Sequence, residues 1–143
     1  DIREAGAGTR PMSDGDVAGG INAARHNAPT DMCIGIGGSP EGIVTACAIK
    51  ALGGHIQGRM APGDDAERQR GIDAGLKMDY VYEADELVRG NNTIFVATGV
   101  TDGQLVSGVR REGNWVYTES VVLRGASGTL RRVSSEHLLS KWN

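Results

Sequence analysis

Aromatic side chains are scarce in this chain of 143 residues, and its only phenylalanine is Phe95. Glycine is abundant by comparison, with 22 residues, well above its usual frequency in globular proteins. Because glycine leaves the backbone bare, one interpretation is that backbone atoms lie close to bound ligands. Turns in loops and tight helix packing would account for many of the same glycines.

The sequence also lacks a strong excess of charge and any long apolar run. Its net charge is −3, which gives no electrostatic footprint for nucleic acid. No apolar stretch reaches the roughly 18 residues that indicate a membrane span. No charged-then-apolar signal segment opens the chain. We therefore expect neither nucleic acid nor a membrane as a partner.

Cysteine is nearly absent, since only Cys33 and Cys47 occur. Both lie in apolar runs, where a free thiol behaves as a small hydrophobic side chain. This pattern favours a reduced, cytoplasmic location.

The first residues of the chain have the pattern of a helix end. Residues 1–6 lack an initiator Met and read as the last turns of a helix that ends at a cap on Gly6. We interpret this as a chain that begins in mid-fold. Its length is nevertheless ordinary for one compact unit, so we expect residues 1–143 to form a single α/β domain.

Residues 9–61 alternate short apolar runs with Gly- or Asp-rich turns and longer helix-compatible runs, which is typical of α/β proteins. Strands are predicted at 9–13, 32–36 and 55–61. One helix runs from Val17 until Pro29 stops it. A second helix, over 41–52, is apolar around most of its circumference, which predicts deep burial.

The pattern changes further along the chain. Acidic residues mark the first turn of a helix that ends at Gly75, where they suit the positive helix end. After Gly90 the sequence has strand-like runs separated by Gly-containing turns. The whole pattern predicts an α/β fold whose mixed sheet has flanking helices and antiparallel hairpins toward the carboxy end. The acids are Asp64, Asp65 and Glu67, and the late strand-like runs are 93–97, 104–110, 115–124 and 129–134.

Asp14, Gly15 and Asp16 form the first turn that could carry chemistry. Ligands of α/β sheets gather where strands end and helix N-termini point outward. Two carboxylates around a glycine can hold hydroxyl groups or a cation while the backbone approaches closely. Helix capping is the alternative for either Asp alone. One helix needs only one cap, so the pair favours ligand binding.

The second such turn is the Gly-rich loop over residues 35–42. It is not a P-loop, because no Gly-Lys-Ser/Thr follows, and Pro40 stands where a dinucleotide fingerprint needs its third Gly. Pro40 pre-sets a helical φ, and Glu41 falls in the first helical turn. On spacing alone, Glu41 is equally well a metal ligand or an acid that complements the helix dipole.

Other candidates are weaker. Residues 98–103 could bind an anion but fit a strand end plus turn better. The three histidines are far apart in sequence, and none has a metal-ligand spacing to Cys or His. No Gly-x-Ser-x-Gly nucleophile motif occurs.

Four segments, in order along nearly the whole chain, resemble the class II fructose-1,6-bisphosphatases of bacteria. They read SDGDVAGGI, GIGGSPEGIVTACAIKALGGHIQGRMAP, FVATGVTDGQLVSGVR and SGTLRR. The resemblance implies the lithium-sensitive sugar phosphatase fold, with an amino-terminal α+β part and a carboxy-terminal α/β part. The chain is similar to the carboxy-terminal part.

The resemblance also implies a chemistry. The family hydrolyses the 1-phosphate of fructose 1,6-bisphosphate in gluconeogenesis, with Mn²⁺ or Mg²⁺ activating water and polarising the ester. Glu41 matches a metal-ligating Glu of the family. Gly38 and the Asp14, Gly15, Asp16 turn match sugar-phosphate contacts. Hard oxygen ligands suit these cations.

The departures from the family limit this hypothesis. The family's other carboxylate ligands and its substrate-binding Arg precede the segment that matches Asp1, so the isolated chain is expected to be inactive. Residues 117–120 read Tyr-Thr-Glu-Ser where the family commonly has Thr-Thr-His-Ser. A non-catalytic sugar-phosphate-binding or scaffolding domain stays an alternative, and so does activity on sedoheptulose 1,7-bisphosphate. Sheet edges near the carboxy end predict a homo-oligomer.

Overall fold

The computed structural model describes residues 2–142, which form four α-helices and six β-strands. The helices are α1 (Asp16–Ala24), α2 (Ser39–Ala51), α3 (Asp65–Asp73) and α4 (Ala84–Leu87). The strands are β1 (Gln57–Arg59), β2 (Val81–Glu83), β3 (Ile94–Thr98), β4 (Arg110–Glu112), β5 (Trp115–Arg124) and β6 (Thr129–Leu138). Single 3-10 turns follow β5 and β6, at Gly125–Ser127 and Leu139–Lys141.

Strand β5 organises the larger, four-stranded sheet. On one side it pairs along its full length with β6, across a tight turn that ends at Gly128. On its other side, β3 pairs with one end of β5 and β4 with the opposite end. Every one of these pairings is antiparallel. The polypeptide between β3 and β4 must therefore bridge the gap between two strands that share one neighbour.

The core lies between one face of this sheet and the helices α1 and α2. Phe95 and Leu130 flank Leu123 in the sheet register, so the three side chains share one face. Ile21 of α1 and Ala48 of α2 complete the buried cluster from the helical side. Small residues allow the two helices to approach closely. A methyl group at Gly20 of α1 would come within 2.6 Å of Thr45 Cγ2 of α2.

Strands β1 and β2 form a separate two-stranded antiparallel sheet. Lys50 anchors the following helix α4 to α2, because its Nζ donates to Val88 O at 2.7 Å and pairs with Asp85 Oδ1 at 2.7 Å. Helix α3 buries none of its residues within the described chain. It is therefore an appendage whose stability depends on local interactions.

Much of the predicted organisation is confirmed. The α/β class, the three helices predicted between residues 17 and 75, the carboxy-terminal antiparallel hairpins and the turns at Gly113 and Gly128 are present. β5 has the predicted bounds, and β6 continues past the predicted run to Leu138. No helix in residues 2–142 has the length and apolar character that crossing a membrane requires.

Several element predictions are wrong. Residues 9–13 and 32–36 form no strand, and no parallel pairing occurs in the described part of the chain, so its sheets are antiparallel rather than mixed. An extended run becomes a strand only when a neighbour supplies ladder hydrogen bonds. No described residue does so for these two runs, and Ile34 and Ile36 are 72% and 88% exposed.

Two further predictions need correction. Of the strand predicted over 104–110, only Arg110 belongs to a strand, because the preceding residues form a hydrogen-bonded loop. Helix α2 is buried on one side only. Its Ile43 and Val44 stay exposed, although the apolar circumference of this helix predicted deep burial.

Candidate functional site

The turn before α1 presents its carboxylates without using them as caps. Gly15 is the N-cap residue and takes a left-handed conformation (φ 84°), which glycine adopts without strain. Asp14 Oδ1 accepts the N–H of Gly15 at 2.7 Å. No side chain of residues 2–142 caps this helix, so the capping alternative for Asp14 and Asp16 is not realised. Both side chains are exposed and available to a ligand.

The Gly-rich loop leads into α2 in a comparable way. Its N-cap residue is Gly38, and within the described residues no side chain caps the helix. Pro40 lies in the first turn, as predicted. The Glu41 carboxylate folds back toward Gly38, where it lies at the positive end of the helix. Uncapped N–H groups at a helix start favour anions such as phosphate.

These two turns meet in space. A methyl group placed on Gly37 would come within 2.5 Å of Asp16 Oδ2, and one placed on Gly38 would collide with Glu41 Oε2. Two carboxylates from different helix starts therefore lie against consecutive glycines. The sequence predicted each turn separately, and the structure brings Asp16, Gly38 and Glu41 together.

Asp14 and Gly15 line a neighbouring cavity of about 390 Å³. Its walls come from residues 10–15 and Ala18 on one side and from residues 102–104 on the other. Arg10 supplies a cationic group, while Asp14 and Asp102 supply carboxylates. A cavity with both charges and many backbone groups can hold a polar ligand that carries phosphate and hydroxyl groups.

The resemblance implies a divalent cation, which would need ligand side chains from this part of the chain. No group of three or more His, Cys, Asp or Glu is placed to hold a metal ion in residues 2–142. Mg²⁺ commonly binds through one or two carboxylates, with water and substrate phosphate filling its remaining positions. Glu41 fits that smaller protein contribution.

Comparison with known proteins decides the family. The sequence model described as bacterial fructose-1,6-bisphosphatase, glpX-encoded, matches residues 1–137. The chain belongs to this family. A class 2 fructose-1,6-bisphosphatase of Haemophilus influenzae is 39% identical over 96% of the chain and 45% of its own length. Two class 2 fructose-1,6-bisphosphatases of Escherichia coli are similar at 40% and 36% identity, over 88% and 99% of the chain.

The chain spans about half the length of these bisphosphatase relatives, with 43% and 46% of the two Escherichia coli proteins covered. Membership of the family agrees with the resemblance in the four segments. The roles of Asp14, Gly15, Asp16, Gly38 and Glu41 as ligand contacts stay predictions.

Sequence reasoning missed Gln104, which lines the cavity, and three residues that bond to it or to its loop: Asn22, Glu119 and Arg132. Asn22 Nδ2 donates to Gln104 Oε1 at 3.2 Å, and Arg132 Nη1 donates to Glu119 Oε1 at 3.1 Å. The available signal was Glu119 itself, which stands where the bisphosphatase family commonly has His. Its partner Arg132 is next to Arg131 in the sequence. Because neighbouring strand residues point to opposite faces, the sequence alone does not show which of the two arginines lies on the face of Glu119.

Proposed function

We propose that this chain is the carboxy-terminal part of an enzyme that hydrolyses the 1-phosphate of fructose 1,6-bisphosphate in gluconeogenesis, with Mn²⁺ or Mg²⁺ as cofactor. One observation carries the proposal. The carboxylates of Asp16 and Glu41 lie against Gly37 and Gly38 at two helix starts, beside a cavity lined by Asp14. Family membership supports the proposed reaction, and this geometry supports the proposed location of the site.

Each residue has a role that its position suits. Glu41 would hold the cation at the start of α2. The backbone at Gly38 faces the sugar phosphate with uncapped N–H groups. Asp14 and Asp16 accept hydrogen bonds from sugar hydroxyls and so orient the sugar. When bound, the cation polarises the ester and lowers the pKa of water.

Metal binding by the chain is tested by titration with Mn²⁺, followed by the EPR signal of the free ion. Glu41→Gln removes a carboxylate charge and should weaken binding by about tenfold or more. Glu112→Gln is the matched control, because it removes an exposed carboxylate that forms an ion pair with Arg110. Equal weakening by both variants would mean that Mn²⁺ responds to overall charge and not to Glu41.

Catalysis is tested in a hybrid that joins the amino-terminal part of the Haemophilus influenzae relative to this chain. We expect phosphate release from fructose 1,6-bisphosphate in Mn²⁺, a large loss in Glu41→Ala, and no release by the chain alone. Unchanged turnover in Glu41→Ala would remove Glu41 from the site. Turnover by the chain alone would contradict the view that half of the site lies elsewhere.

The second candidate is a non-catalytic domain that binds a sugar phosphate or acts as a scaffold. It is favoured by the absence of a three-ligand metal cluster from residues 2–142. Sugar-phosphate binding by the chain, together with an inactive but folded hybrid, would support it. The alternative substrate is sedoheptulose 1,7-bisphosphate. Comparing the rates of phosphate release by the hybrid from the two bisphosphates shows which one it prefers.

We also propose a homo-oligomer and a cytoplasmic setting. The outer edge of β6 pairs with no other described strand along its ten residues, and such an edge favours association. Cys33 and Cys47 are both free thiols, as a reducing compartment would maintain them. Sedimentation equilibrium of the purified protein tests the first of these proposals.

A further inference from the structure

The segment between β3 and β4, residues 99–109, folds into an ordered loop that we name the crossover loop. Val109 N–H donates to Val100 O at 3.2 Å, which closes its base. Within it, Gly103 N–H donates to Val106 O at 3.1 Å, and Asp102 Oδ1 accepts Gly108 N–H at 2.8 Å. Leu105 at its centre belongs to the buried core. The crossover loop is therefore built into the fold.

Two glycines allow the two arms of the crossover loop to lie in contact. A methyl group at Gly99 would collide with Ser107 O, and one at Gly108 would come within 2.6 Å of the carbonyl carbon of Thr101. These contacts are with backbone, which cannot move aside as a side chain can. The shape of the loop thus depends on residues without a Cβ.

The ion pair between Glu119 and Arg132, both on the sheet, contacts the crossover loop. Glu119 of β5 accepts the N–H of Ser107 through Oε2 at 2.6 Å and binds Arg132 Nη1 through Oε1 at 3.1 Å. Arg132 also donates to Leu105 O at 2.8 Å. The Ser107 N–H, and then Arg132, hold the pKa of Glu119 below its usual value. Neither charged side chain lines the cavity.

The far end of the crossover loop forms one wall of the cavity. Residues 102–104 face the wall that carries Asp14 and Gly15. Gln104 is fixed by Asn22 of α1, which is itself buried. The loop is therefore tied to the sheet through Glu119 and to α1 through Gln104, and it holds the cavity open between these two attachments.

We propose that the crossover loop is the second wall of the sugar-phosphate site, with Glu119 and Arg132 as its positioning residues. This inference rests on the proposed function. Asp102 uses Oδ1 for Gly108, so Oδ2 can accept a sugar hydroxyl, and the Gln104 amide offers two N–H groups to hydroxyl or phosphate oxygens. Arg10, which lines the cavity in the first wall, suits the phosphate.

The test is a titration of the ¹⁵N-labelled chain with fructose 6-phosphate, which lacks the 1-phosphate, followed by two-dimensional NMR. The amides of Gly15 and Gly103 report the two walls. Both should shift along one binding curve. A shift at Gly15 without one at Gly103 overturns this inference and leaves the proposed function standing. No shift at either amide overturns both.

Variants then test positioning. Glu119→Ala leaves the Ser107 N–H and Arg132 without their acceptor, and we expect the Kd for fructose 6-phosphate to rise by about tenfold as preorganisation is lost. Glu119→Gln keeps one acceptor oxygen and should recover part of the affinity. Glu112→Ala, which removes a carboxylate paired with Arg110 on the same sheet, should bind as the parent chain does.

An unchanged Kd in Glu119→Ala would overturn the positioning role, since the loop would then hold its place without the ion pair. If this variant does not fold, Gln104→Ala replaces it. That change removes a wall contact from an exposed side chain, and equal affinity for the parent chain and Gln104→Ala would equally overturn the proposal.

Discussion

Gly37 and Gly38 lack side chains, and the carboxylates of Asp16 and Glu41 occupy the space that a Cβ would fill. Replacing Gly37 by Ala should push Asp16 away and weaken binding of fructose 6-phosphate several-fold, without unfolding the chain, because Asp16 would no longer orient the sugar. Gly35→Ala is the matched control in the same loop, because a methyl group there meets no described atom within 4 Å. NMR titration with fructose 6-phosphate measures both. Comparable affinities in the two variants would show that the position of Asp16 is immaterial to sugar binding.

This pair of glycines also shows what sequence can reveal at the residue scale. The turn chemistry of Asp14, Gly15 and Asp16 and the helix start at Glu41 were readable from residue type and spacing. That Asp16 meets Gly37 was not, because the contact depends on how α1 and α2 pack. Periodicity reports which face of a helix is apolar, but it does not report which neighbour covers it.

The contribution of Glu119 to the stability of the fold should depend on pH. Its pKa lies below the value of about 4.3 for Glu in an unfolded chain, chiefly because it accepts the Ser107 N–H. Between the two pKa values, the folded chain therefore binds fewer protons at Glu119 than the unfolded chain does. The interactions of Glu119 stabilise the fold fully at pH values above the pKa of the unfolded chain. This stabilisation is lost as the pH falls through the lowered pKa.

The check is urea unfolding of the parent chain and of Glu119→Gln at about pH 6 and about pH 3. The parent chain should be the more stable of the two at the higher pH, and the difference should shrink at the lower. A constant difference across the two pH values would mean that the charge of Glu119 does not contribute.

At the scale of elements, α3 tests local stabilisation alone, because it buries none of its residues within the described chain. Its N-cap is Asp64, whose Oδ1 accepts Glu67 N–H at 2.7 Å, while Glu67 Oε2 accepts Gly63 N–H at 2.8 Å. Asp64→Ala should cost about 1 kcal/mol locally, which amide hydrogen exchange within α3 would register as faster exchange. Asp65→Ala removes a neighbouring acid that makes no cap and should have a much smaller effect. Equal acceleration in both variants would assign the effect to helix charge instead of the cap.

The same helix was predictable from sequence because its signals are local. Acids in the first turn and Gly75 after the last turn fix both ends, and Gly75 has the expected positive φ of 80°. The hairpin from β5 to β6 was predictable for the same reason, through its turn at Gly128. The crossover loop was not. Its residues alternate like a strand, but Glu119 and Arg132 hold them in a loop from strands that lie later in the chain.

At the scale of the whole molecule, the runs at 9–13 and 32–36 show where local pattern fails. Each has the composition of a strand, and whether it becomes one depends on a neighbour that residues 2–142 do not supply. The family relatives are about twice as long as this chain, with 45% of the Haemophilus influenzae protein covered. Local pattern therefore predicts a tendency to form a strand, and pairing with a neighbour decides whether the strand forms.

Residues 32–36 give the last prediction, because Ile34 and Ile36 are among the most exposed apolar side chains of the described chain. Exposed isoleucines contribute little to folding, so Ile34→Ser with Ile36→Ser should change stability by less than about 0.5 kcal/mol each. They do favour self-association, so the double variant should bind the apolar dye ANS less and stay monomeric at higher concentration.

The matched control is Ile72→Ser with Val81→Ser, which also removes two exposed β-branched side chains but starts from 48% and 45% exposure. Dye fluorescence and light scattering of both double variants, at equal concentration, measure the difference. Ile34 and Ile36 lie two residues apart in the sequence, and both are more exposed than either residue of the control pair. Equal dye binding by the two double variants would mean that the association surface of the chain lies elsewhere.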